Sequence, residues 1–131
     1  MTNLTNVGTE YSSDLTDHLE STIIDAIHDR KGKKIIYIDF KGLETAPART
    51  FIICQGNSTS QVSAIADNIR EEVRKRLDVK PYNYDGYKNS QWIVIDYGNI
   101  IVHVFLPDVR QYYNLEDLWC DAPHKEIPDL D

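Results

Sequence analysis

Asp96 and His103 fall where an acid and a base could share one face of a sheet, the pairing from which general acid–base chemistry is built. No nucleophile accompanies them, because Cys54 lies inside the apolar run FIIC, where a free thiol packs as a small hydrophobe. Gly56-Asn57-Ser58 has the form of an anion cradle, since backbone N–H groups at a helix N-terminus favour negative charge. The ordinary use of such a segment is a turn glycine followed by a helix cap, and neither Walker nor Rossmann spacing surrounds it. Nucleotidyl transfer also needs carboxylates close enough together to hold divalent cations, whereas Asp39 and Asp96 stand singly on their strands. The four histidines, His18, His28, His103 and His124, lack ligand spacing. The parts of a catalyst are not assembled, so the chain is expected to be no enzyme and to need no cofactor or metal.

The elements that position these residues are clearest at QWIVIDYGNIIVHVF, 91–105, which is two alternating apolar strands around a Gly98-Asn99 turn. A two-residue turn of type II′ wants φ > 0 at its first central position, and glycine supplies it. That turn fixes a register in which Trp92 faces Phe105, Val94 faces His103 and Asp96 faces Ile101. One side then carries Ile93, Ile95, Tyr97, Val102 and Val104, suited to a core. The other carries Trp92, Asp96, His103 and Phe105, and it offers a surface for a partner. Together with Tyr112, Tyr113 and Trp119 it holds more large rings than a domain this small readily buries, and Trp and Tyr are enriched at interface hot spots.

At 131 residues the chain is one domain's worth. Its formal charge of −7, from 21 acids against 14 bases, argues against direct binding to DNA and for a basic partner. Two cysteines are too few for a disulfide scaffold and lack zinc spacing, which suggests a reducing, cytoplasmic setting. The N-terminus has no signal-like apolar segment, and no run approaches the roughly 20 apolar residues of a membrane span.

Residues 1–13 are polar and are expected to be a loose arm. Leu19, Ile23, Ile24 and Ile27 recur at helical spacing over about 16–28, ending near Lys31-Gly32. IIYIDF, 35–40, and FIIC, 51–54, read as strands, the second covered on both sides. Ser58 with Gln61 forms a capping box, and Val62, Ile65, Ala66, Ile69 and Val73 mark one face of a helix over 58–77. Pro81 to Asp85 suggests a short strand; Pro107 opens a helical turn, and Asn114 caps another carrying Leu115, Leu118 and Trp119. The expected fold is therefore α/β in the α+β sense, a mixed sheet flanked by helices over 14–123, with an acidic tail at 124–131.

The succession IIYIDFKGLE, FIICQGNSTSQVSAIADNI, DGY, QWIVIDYGNIIVHVF and RQYYNLEDLWCDAP resembles the ribosomal silencing factor family, also called Iojap-like. The resemblance spans roughly 17–123 and rests on several separated motifs in one order. It implies a nucleotidyltransferase-like fold without the catalytic metal carboxylates. It further implies binding to the large ribosomal subunit through its universal protein number fourteen, on the face that meets the small subunit, so that subunit joining is blocked and translation is repressed under nutrient limitation. Carried over position by position, the implied contacts are Trp92, Asp96 and Tyr97 in WIVIDYG and His103 and Phe105 in VHVF. Tyr113, Leu115 and Trp119 match the YxLExLW helix, as contacts or as its support. The register sets Tyr97 on the core side, against that role. Arg49-Thr50, Leu106 and Val109 depart from the family's usual acidic, aromatic or polar residues and put the local charge pattern of the partner surface in question. Two rivals remain: a nucleotide-handling enzyme using Gly56 to Ser58, and a module whose ring-bearing side makes a homodimer, which if weak is compatible with repression.

Overall fold

A computed structural model describes residues 2–40 and 43–130, with side chains from residue 15 onward. Its elements are helix α1 (Thr2–Asp29), strands β1 (Lys33–Asp39) and β2 (Thr50–Gln55), helix α2 (Thr59–Leu77), strands β3 (Asn83–Asp85), β4 (Trp92–Asp96) and β5 (Ile100–Phe105), short helices α3 (Pro107–Tyr113) and α4 (Leu115–Leu118), and strand β6 (His124–Ile127). The strands form one mixed sheet in the order β3-β4-β5-β2-β1-β6. Within it β2 and β5 pair in parallel, and the other neighbours are antiparallel. This is the α+β architecture expected from the sequence.

The hairpin register is the expected one, with Trp92 facing Phe105, Val94 facing His103 and Asp96 facing Ile101. Gly98 adopts φ 88, the left-handed conformation the turn demands, and Asp96 Oδ1 accepts from its N–H at 2.7 Å. Alternation then sorts the sheet into two cores. Ile35, Ile52, Cys54, Ile93, Ile95, Ile100, Val102 and Val104 pack beneath α1 and α2. Ile38, Phe40, Phe51, Ile53 and Phe105 lie on the other side, partly covered by Val109, Leu115 and Trp119. β2 sits in the middle of the sheet and is buried along its length up to Cys54, as the unbroken apolar run required.

Ser58 caps α2 with its hydroxyl accepting from the Gln61 N–H at 3.1 Å, and αL Asp78 ends the helix. Three local expectations change. The segment expected to be a loose arm continues α1 back to Thr2, because extending a helix anchored by Leu19, Ile23 and Ile27 costs far less than starting one. The acidic tail holds β6, which pairs antiparallel with β1; His124, Lys125 and Glu126 are exposed there, so a backbone ladder orders a segment that has no apolar pattern. Asn114 bridges α3 and α4 through an αL backbone, φ 48, with no side-chain cap bond.

Candidate partner-binding face

Trp92 opens β4, and its ring lies nearly parallel to Phe105 at 4.9 Å while Tyr113 of α3 meets it at 4.7 Å. The Trp92 indole N–H donates to His103 Nδ1 at 3.1 Å. Since Nδ1 accepts, the neutral imidazole carries its proton on Nε2, a buried atom with no hydrogen-bond partner among the described residues. Burial lowers the His103 pKa to about 4, so the ring is neutral when it receives the indole N–H. Behind it stands a chain of edge-to-face rings: His103 on Phe51 at 4.5 Å, Phe51 on Phe40 at 4.8 Å, and Phe40 on Trp119 at 4.8 Å.

The two short helices that lie over these rings are tied down by Arg110, which the sequence reading did not single out. Its buried guanidinium donates to the Lys34 carbonyl at 2.8 Å, Gln55 Oε1 at 3.1 Å and Glu116 Oε2 at 3.3 Å, joining β1, β2, α3 and α4. The Lys34 carbonyl is available because Lys34 sits at φ 52 in a break of register between Lys33 and Ile36. No sequence periodicity signals such a bulge. The clue that was present is an arginine on the inner side of a short amphipathic turn, where a charge must find acceptors.

The eight expected contact residues divide into three groups. Trp92 and Tyr113 reach the surface, and the neighbouring Tyr112 and Leu118 are strongly exposed at 82% and 68%. His103, Phe105, Leu115 and Trp119 form the layer behind them; His103 is buried and Phe105 fully so, and they shape the ledge from beneath. Asp96 is engaged in the hairpin turn, and Tyr97 points into the opposite core, where burial pushes its hydroxyl pKa up. Alternation alone puts His103 and Phe105 at a surface, because neither strand shows that α3 and α4 fold back over them.

The groups that could have served catalysis are already engaged within the fold. His103 bonds Trp92, and Asp96 bonds Gly98, so no acid–base pair forms. Cys54 is fully buried, and desolvation raises its thiol pKa to about 12. At the Gly56–Ser58 turn the cradle is filled by its own chain: Gln61 Oε1 accepts from the Asn57 N–H at 2.7 Å, and the Ser58 hydroxyl takes the Gln61 N–H. Gln61 Nε2 also donates to the carbonyls of Arg30 at 3.2 Å and Lys31 at 3.1 Å, fastening the end of α1 to the start of α2. Among the described residues, no three His, Cys, Asp or Glu side chains stand close enough to hold a metal ion.

The described residues thus form a mixed sheet that carries a ledge of rings, with the polar turns at Gly56–Ser58 and Gly98 satisfied within the chain. The family model for "ribosomal silencing factor during starvation" matches residues 13–131, and this chain belongs to that family. It is 39% identical over 105 residues to the ribosomal silencing factor RsfS of Halalkalibacterium halodurans, covering 79% of this chain and 87% of that one. With the RsfS of Bacillus subtilis it shares 40% over 107 residues, or 81% and 86% of the two chains. Among solved structures, a protein from Chromobacterium violaceum superposes with a TM-score of 0.74 at 34% identity, over 79% of this chain and 85% of that chain. The matched region includes β6, so the C-terminal strand is part of the family domain.

Proposed function

We propose that this protein silences translation without turnover, by docking through its Trp92 ledge on the large ribosomal subunit and obstructing the small one. The contact we assign is the subunit's universal protein number fourteen, in the cytoplasm. The observation that carries the reading is the ring cluster of half-buried Trp92 with exposed Tyr112 and Tyr113 on a packed base, in a chain of net charge −7. Large rings at the surface of a rigid support are the usual anchors of a protein interface, and an acidic surface favours encounter with a basic ribosomal protein. Among the described residues, no helix is long and apolar enough to cross a membrane.

Purified protein mixed with isolated large subunits should co-sediment at low micromolar concentration in moderate salt, and subunit joining should fall as it is added. Absence of binding under those conditions would sink the proposal. Sedimentation at several protein concentrations tests the homodimer alternative: a dimer that never dissociates and excludes ribosomes would replace repression by docking.

A further inference from the structure

Beside Trp92 a cleft of about 510 Å³ opens between the turn after β3 and the first turns of α3. Three rings line it, those of Trp92, Tyr112 and Tyr113, together with the carboxylates of Asp85 and Asp108 and the ammonium of Lys88. Tyr112 and Tyr113 meet edge to face at 5.0 Å, which turns their π faces in different directions around the opening. Asp108 makes no ion pair among the described residues. Asp85 uses one oxygen on the Gly86 N–H at 2.8 Å, leaving the other oxygen as an acceptor.

We propose that this cleft receives an arginine side chain from a basic protein segment. It deepens the docking reading and rests on it for the identity of the donor chain, but the chemistry follows from the lining. Two carboxylates against one ammonium leave the cleft net negative, within a chain of charge −7, and this disfavours a phosphate or a nucleic-acid backbone. A purely apolar guest would strip water from Asp85 and Asp108 and return no hydrogen bonds. A guanidinium meets both demands, because its plane lies against aromatic faces while its edge donates to a carboxylate with two N–H groups. An ammonium satisfies the carboxylate but does not stack, so arginine is preferred over lysine. The fold already makes this pairing internally, where the Arg70 guanidinium lies 3.6 Å from the centre of the Tyr84 ring.

The test uses the full chain, ¹⁵N-labelled, with the Trp92 indole N–H signal assigned by comparison with Trp92→Phe. N-acetyl-arginine amide is titrated against N-acetyl-citrulline amide, its neutral near-isostere. A saturable shift at Trp92 is expected with the arginine amide, with affinity for the citrulline amide about fivefold weaker or less. Asp108→Asn and Tyr113→Ala should each weaken the arginine response roughly threefold or more, with the rest of the spectrum unchanged. Equal responses to the two amides, or none to either, overturn the proposal whatever the ribosome does. If the arginine response holds and large subunits still ignore the protein, the cleft stands and the docking reading falls.

Discussion

The β4–β5 hairpin offers one backbone to two different neighbours. Toward α1 and α2 it turns Ile93, Ile95, Ile100, Val102 and Val104, all fully buried under two long helices. Toward α3 and α4 it turns Trp92, His103 and Phe105, covered by helices of seven and four residues that leave the ring cluster open at its rim. Branched aliphatic chains fill a closed space and leave nothing outside. Stacked rings transmit support from a buried Phe105 to a half-buried Trp92. The first side is committed to stability, whereas the docking proposed above would have the second serve recognition as well, and substitutions can separate the two.

The sharpest break between the sides should come from Ile95→Ala. Deleting a fully buried isoleucine costs about 3 kcal/mol or more of stability, read as a lowered denaturation midpoint, while the folded fraction keeps its affinity for large subunits. Trp92→Ala should reverse that pattern, weakening subunit binding by about 2 kcal/mol with a smaller loss of stability than Ile95→Ala. Parallel melts and binding curves decide it; intact affinity with a collapsed melting temperature would move Trp92 to the core side of the comparison.

His103 gives the ring side a pH dependence on the acid side of neutrality, whereas the shifted groups of the aliphatic side, Cys54 and Tyr97, are pushed the other way. Its folded pKa of about 4 lies below the ordinary 6.5, so the unfolded chain binds the extra proton between those values. Stability from this group is complete above about 6.5, falls as the pH drops, and is gone below about 4. Protonation also removes the acceptor of the Trp92 indole N–H. His103→Gln should flatten the stability profile between pH 7 and pH 5; an unchanged slope would show that other groups carry it. The smallest effect on folding belongs to Tyr112→Ala, within about 0.5 kcal/mol because the ring is 82% exposed, while subunit binding weakens. Unaltered binding would confine the ledge to Trp92 and Tyr113.

The same contrast explains what the sequence disclosed. The hairpin register and the α2 cap were legible because each is specified within a few residues, by alternation around Gly98 and by Ser58 with Gln61. The aliphatic core was legible for the same reason. The ring side was only half legible, since the cover over His103 and Phe105 depends on Arg110 reaching a carbonyl 76 residues away at Lys34. Neither the bulge that presents that carbonyl nor the polar strand β6 has a signature in local pattern. Gln61 reads locally as a cap, and its second task, gripping the end of α1, needs the third dimension.

The parallel pairing of β2 with β5 sets an order of assembly. Phe51 faces Ile101 and Gln55 faces Phe105, partners separated by 50 residues, whereas the hairpin closes within its own turn. A local hairpin forms in roughly microseconds, while the distant pairing must first meet the entropy of closing a long loop. A hairpin formed ahead of that pairing would hold Phe105 and His103 bare, since their cover comes from β2 and the short helices. Rings left bare ahead of that pairing are where an unfinished chain is most prone to associate, so the residues beneath the ledge depend on the late, distant contacts for their cover.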